Sequence, residues 1–228
     1  FGTALIFFVT FLVVSFLRSG DLSRLILTGV GAGIMGLMIL RFMPYIAKRF
    51  AIWGHVWDDP ADKGYQQVRT MCYSAGGGLL GQGAGNGYLK TVGASNTDLV
   101  FGMVTEEWGL IIALLLIVCI ITLCLFAVNS IVAGRSTFYT IGACGASTFF
   151  LFQTMLNVFG AVDLFPLTGV TFPFVSAGGT SMMASWAILA FFKAADMRKD
   201  ASIAIKRSKV KVSLQDYAEE TDEGAEEV

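Results

Sequence analysis

The chain has 228 residues, 55% of them hydrophobic and 14% charged, and its mean hydropathy of +0.68 lies outside the balance of a soluble domain. It reads as an all-α polytopic membrane protein with a formal net charge of -1, and no nucleic acid partner is expected. Four cysteines without a CxxC pair give no disulfide framework, and the single histidine, His55, leaves no multi-histidine metal site or histidine-based triad.

Five stretches reach the roughly 20 apolar residues that span a bilayer as a helix. The first, Phe1–Leu17, has no charged flank and no cleavage pattern. It reads as a helix already under way, so the chain is expected to be the C-terminal part of a longer protein. The second is Ser23–Ile46. Within it, Gly31-Ala32-Gly33-Ile34-Met35-Gly36 has dinucleotide-fingerprint spacing but no strand before it. Gly29 and Gly33 instead form a small-xxx-small face for helix packing. The segment from 47 to 107, about 60 residues, is too long for a structureless connection and reads as a functional loop. Gly109–Val128, Phe138–Gly160 and a stretch from about Ser176 to Ala194 complete the five.

Arg18, Arg24 and Arg135 in short connections, and the basic run from Lys193 to Lys211, all fall on one side of a five-span zigzag. Positive charge marks the cytoplasmic side, so the C-terminus is cytoplasmic and the long loop lies outside. Residues 1–195 then form the membrane unit. Residues 196–228, basic and then acidic, form a solvated and disordered tail.

The loop carries most of the candidate chemistry. Asp58-Asp59-Pro60-Ala61-Asp62 has a spacing that can hold a divalent cation such as Mg²⁺ on one helical face, but Pro60 favours a solvated turn. His55 sits between Trp53 and Trp57 in what reads as an interfacial aromatic belt. A short helix is expected over Tyr65 to Tyr73, followed by the glycine-rich run from Gly76 to Gly87, either a tight turn or a phosphate cradle. Asp98, Glu106 and Glu107 then stand at the mouth of the third span. A carboxylate there is costly to hold without work, a partner or a water-filled cavity, which makes Asp98 the first candidate for chemistry. Further on, Ser176-Ala177-Gly178-Gly179 opens the last span, either for close packing or as a helix N-terminus facing an anion.

In order along the chain, these segments resemble the SEDS family of bacterial cell-wall proteins, the FtsW/RodA/SpoVE group. Phe1-Gly2-Thr3-Ala4 is similar to the family's D-L-G-T-A helix start. Asp59-Pro60, Gly64-Tyr65, Gly77-Gly78-Leu79 and Gly81-x-Gly83 follow its large extracellular loop. Thr97-Asp98-Leu99-Val100-Phe101 with Glu106-Glu107-x-Gly109 resembles its H-T-D-F-I-F…E-E-x-G signature. Asn157, Pro166, Gly169, Pro173 and Ser176-x-Gly178-Gly179 resemble its ending. Departures are Asn96 where the family has histidine, Arg69-Thr70 where it has Gln-Ser, and Ala177 where it has tyrosine.

The resemblance implies a ten-helix fold of which this chain holds helices six to ten. It also implies polymerisation of lipid II into glycan strands in the bacterial inner membrane, beside a class B penicillin-binding protein transpeptidase, with Asp98 matching the family's essential aspartate. Asp98 would take the proton of the acceptor hydroxyl as general base. Arg41, Lys48, Arg49 and Arg69, with Ser176, Gly178 and Gly179, are the candidates for holding the diphosphate or lipid. Glu106 and Glu107 would lie about 12 Å from Asp98 in a continuous helix, and one of them is expected to pair with an arginine or to cap the start of the third span. No cofactor is certain, and a divalent cation at Asp58, Asp59 and Asp62 is the one left open. Two alternatives are a lipid-precursor transporter and a non-catalytic scaffold for the transpeptidase.

Overall fold

The computed structural model describes residues 2–132 and 137–197. Phe1, the connection around Arg135 and the basic-then-acidic tail from 198 onward lie outside those residues. The elements are α1 (Gly2–Ser19), α2 (Leu22–Phe42), α3 (Pro44–Ile52), α4 (Tyr65–Gly77), a 3-10 turn (Leu89–Thr91), α5 (Val100–Trp108), α6 (Leu110–Val132), α7 (Thr137–Ala161) and α8 (residues 179–197). No strand occurs among the described residues. Four helices, α1, α2, α6 and α7, are long and apolar enough to cross a membrane. The helix α8 occupies the place of the fifth expected span but is not one of those four; Lys193 and Asp196 dilute its apolar run.

One expected span is corrected. Ser23–Ile46 is not a single helix, because α2 ends at Phe42 and α3 begins at Pro44, with Met43 extended between them at φ -113 and ψ 91. Pro44 causes the break. Its ring disfavours helical backbone at the preceding residue, while its missing N–H is harmless at the first position of a new helix.

The centre of the fold is α7, which packs against α1, α4, α5 and α6. Its buried residues include Ser147, Gln153, Thr154 and Asn157. In lipid the apolar side of a helix gains little by turning inward, whereas polar groups must find protein partners, so the polar stripe of α7 decides which face is inside. The apolar cluster around it joins Val100, Ala113, Ile120, Phe150, Phe172 and Phe192 from α5 to α8. By contrast, α2 buries none of its residues. Nothing lies within 4 Å of a Cβ built on Gly29 or Gly33, so their small-residue face is uncovered among the described residues.

Glycines set the geometry of the long loop. The helices α4 and α5 cross closely because a Cβ on Gly102 would collide with the Thr70 side chain, and one on Gly77 with the Thr105 carbonyl. Gly109, at φ 89, turns the chain between α5 and α6 in a region that side chains rarely adopt. The loop after α4 seals that turn. The Leu110 amide donates to the Gly78 carbonyl at 3.0 Å, and the Gln82 and Gly83 amides donate to the Glu106 and Glu107 carbonyls at 2.9 and 3.0 Å. An amide at the start of α6 thereby gains the acceptor that a helix N-terminus lacks within itself.

Candidate active site

Asp98 lies just before α5 rather than inside it. Its loop turns at Ala94, a non-glycine residue at φ 65, whose carbonyl accepts the amides of Thr97, Asp98 and Leu99 at 3.1, 3.0 and 3.2 Å. Below the loop, Leu89, Val92 and Leu99 form a small buried apolar cluster. The backbone is thus anchored from beneath while the Asp98 side chain, half-buried, faces a cavity of about 280 Å³.

That cavity is lined by Ile46, Arg49 and Phe50 of α3, by Asp98, and by Pro166 to Gly169 of the segment after α7. Gly169, at φ 71, sits between the two charged groups: a Cβ built on it would be 3.3 Å from Asp98 Oδ2 and 3.8 Å from Arg49 Nη1. A side chain there would fill the space between carboxylate and guanidinium. Arg49 is held by donating from Nη1 to the Leu167 carbonyl at 2.6 Å. The helix α3 itself is tied to the chain after α7, as Trp53 Nε1 donates to the Leu164 carbonyl at 3.1 Å and the Gly54 amide to Asp163 Oδ1 at 3.5 Å. Trp53, expected in an interfacial belt, therefore also docks the loop. Among the described residues, no hydrogen-bond donor occupies the Asp98 carboxylate. A carboxylate with open lone pairs beside a cation, in a cavity that admits a ligand, can accept a proton from a bound hydroxyl.

Of the expected site residues, the fold brings together only Asp98 and Arg49. Arg41 and Lys48 are exposed and outside the cavity lining. Arg69 lies over the rings of Tyr65 and Tyr73, at 5.5 and 5.9 Å from their centroids, and donates to the Tyr73 hydroxyl. Asp58, Asp59 and Asp62 occupy successive turns rather than one helical face. No group of three or more His, Cys, Asp or Glu side chains suited to a metal occurs among the described residues. The acidic turn does not fit the cation considered for it.

The two glutamates depart from expectation. Among the described residues, neither pairs with an arginine nor caps α6. Glu106 is 0% exposed and accepts the amides of Tyr88 and Leu89 at 2.7 and 2.9 Å, closing the start of the 3-10 turn. Glu107 accepts the Gly85 amide at 2.9 Å. The glycine-rich loop is thus bound at Gly85 to the Glu107 carboxylate. At the other end, the Ser176 hydroxyl accepts the Phe172 amide at 2.7 Å and donates to the Thr97 carbonyl at 2.6 Å, and Gly178 accepts the Met182 amide. Sequence reasoning left Asn157 without a role, although an amide side chain within an apolar span is itself a signal of internal bonding. Its Nδ2 donates to the Asp98 and Val170 carbonyls at 2.9 and 2.7 Å.

The model of the FtsW/RodA/SpoVE family, described as cell cycle protein, matches residues 1–200. The chain is 33% identical over 188 residues to the probable peptidoglycan glycosyltransferase FtsW of Moranella endobia, a match that covers 80% of this chain and 49% of that protein. It is 34% identical over 191 residues to the probable peptidoglycan glycosyltransferase FtsW of Pseudoalteromonas translucida, covering 80% and 47%. With the peptidoglycan glycosyltransferase RodA of Mycobacterium tuberculosis it shares 31% identity over 190 residues, covering 83% and 40%. The chain spans about half the length, or less, of the curated relatives it matches.

Proposed function

Since the chain belongs to the FtsW/RodA/SpoVE family of cell cycle proteins, we propose that it carries the reacting centre of a peptidoglycan glycosyltransferase that polymerises lipid II. The observation that carries this reading is the shared cavity of Asp98 and Arg49. The acceptor sugar's 4-hydroxyl attacks the anomeric carbon of the lipid-linked donor, and Asp98 takes the hydroxyl proton. The new C–O bond forms as the bond from the anomeric carbon to the diphosphate oxygen breaks, and the polyprenyl diphosphate leaves as an anion. Arg49, planar and permanently charged, suits that anion. A cavity of about 280 Å³ is at the small end for a ligand pocket. It matches a sugar and its diphosphate rather than the whole lipid.

The topology completes the proposal. The helix α8 serves as the fifth span, the loop between α2 and α6 faces outward and the C-terminus faces the cytoplasm, as in helices six to ten of a ten-helix protein. The name given to the relatives supports lipid II as substrate, and the resemblance supports a class B penicillin-binding protein transpeptidase as partner. In a cysteine-free background, a cysteine at exposed Ala84 should react with an impermeant reagent from outside, and one at Ser213 should not. The reverse pattern inverts the topology.

The activity is tested with Asp98→Asn in reconstituted membranes, with the five upstream helices expected from the resemblance present. Polymerisation of labelled lipid II should fall about 10²-fold or more, the contribution of a positioned base. A folded variant with near-normal turnover would remove Asp98 from the role. Movement of lipid II across the bilayer without polymer would favour the transporter.

A further inference from the structure

Three consecutive carbonyls of the Asp98 loop are each held by a donor from the far end of the chain. The Asn96 carbonyl accepts the Ala177 amide at 2.8 Å, the Thr97 carbonyl accepts the Ser176 hydroxyl at 2.6 Å, and the Asp98 carbonyl accepts Asn157 Nδ2 at 2.9 Å. The amides of Asp98 and Leu99 converge on the Ala94 carbonyl. Both peptide planes that flank Asp98 are therefore fixed on either edge, and only the side-chain torsions of Asp98 remain to be set by a ligand.

Satisfying buried carbonyls is by itself ordinary. Two further observations separate a clamp from routine satisfaction. Each side chain in question also bonds the segment that continues from the cavity wall at Gly169: Asn157 Nδ2 donates to the Val170 carbonyl at 2.7 Å, and Ser176 Oγ accepts the Phe172 amide at 2.7 Å. Asn157 is 2% exposed, and its buried Oδ1 has no hydrogen bond among the described residues. Leaving an acceptor bare in the interior is unfavourable, so the amide is kept for what its nitrogen does. Neither residue lines the Asp98 cavity, and neither can touch the reacting atoms.

We propose that Asn157 and Ser176 are positioning residues that lock the Asp98 loop against the segment from Val170 to Phe172, which continues directly from the cavity wall at Gly169, and so set the carboxylate at its working distance. The proposal rests on the reading of Asp98 as the base. Its physical basis is the tolerance of catalytic geometry: a misplacement of about 1 Å can cost about 10²-fold in rate. A loop with no helix or strand of its own at Asn96 to Leu99 holds that tolerance only if its peptide planes are pinned from outside.

The test is a mutant cycle on lipid II polymerisation, again with the upstream helices present. Ser176→Ala should lower kcat about tenfold and leave KM for lipid II within about twofold, because substrate contacts are untouched. Ser176→Thr, which keeps the hydroxyl, should recover most of the rate. Asn157→Leu, similar in shape without the donor, should repeat the kcat loss and provides the second route should Ser176→Ala not fold. In an Asp98→Asn background neither change should lower the residual rate further, since the group being positioned is gone. Unchanged kcat in folded Ser176→Ala and Asn157→Leu, or the same tenfold loss on top of Asp98→Asn, would overturn the clamp. Full turnover by Asp98→Asn removes the base reading and the clamp with it, whereas an inactive Asp98→Asn beside fully active clamp variants defeats the clamp alone.

Discussion

Asp98 and Glu106 are two carboxylates eight positions apart in the same loop-to-helix passage, and the fold treats them in opposite ways. Glu106 is wholly buried, and its oxygens accept the amides of Tyr88 and Leu89. Asp98 is half-buried, faces a cavity shared with Arg49 and has no donor on its carboxylate among the described residues. Glu106 closes backbone bonds that hold the loop, while Asp98 keeps its lone pairs open. In a membrane protein the position of an acid at the bilayer edge does not reveal whether it does structure or chemistry. What distinguishes the two is the set of donors already committed to it.

The sharpest way to break this contrast is to remove each carboxylate and read stability. Glu106→Ala leaves two amides without their acceptor, at about 1–3 kcal/mol each, so a clear drop in unfolding midpoint in detergent is expected. Asp98→Ala should leave that midpoint nearly unchanged while abolishing polymerisation. Equal destabilisation by both would erase the distinction. Next in size, Gly109→Ala forces a side chain into φ 89 and against the Leu79 carbonyl. A loss of about 1–3 kcal/mol is expected from the backbone conformation alone, measured by the same unfolding assay.

Two arginines sharpen the chemical side. Arg49→Lys keeps the charge but loses the planar fork, and turnover should fall about tenfold, or about 1.4 kcal/mol of transition-state stabilisation. Arg69→Lys, stacked on two tyrosines away from the cavity, should cost about 0.5–1 kcal/mol of stability at most and leave steady-state turnover intact. A larger kinetic effect at Arg69 than at Arg49 would move the diphosphate site. The smallest effect is expected at Glu107→Gln, which keeps an oxygen to accept the Gly85 amide. Its unfolding midpoint should match that of the parent protein within about 0.5 kcal/mol.

The membrane class and the four helices long and apolar enough to cross a bilayer were legible because each depends on local quantities, the length of an apolar run and the charges at its ends. The break at Met43 was missed because a hydropathy window does not register Pro44, which acts through the backbone of its neighbour. Arg49 was one of four candidate cations with nothing local to single it out. Its selection came from α3 docking on Asp163 and Leu164 through Gly54 and Trp53, contacts more than a hundred positions apart in sequence. Ser176-Ala177-Gly178-Gly179 was read either as a face for close packing or as a helix N-terminus whose amides meet an anion. The fold instead commits the Ser176 hydroxyl to Thr97 and Phe172.

By itself the sequence determined that this is a helical membrane protein of the FtsW/RodA/SpoVE family and offered Asp98 as the first candidate for chemistry, since hydropathy, charge placement and ordered motifs are properties of residues in line. Which carboxylate stays open, which arginine meets it and which donors fix its loop were decided only in three dimensions. Hydrogen bonds and cavity walls depend on distances of about 3 Å between residues that the chain keeps far apart.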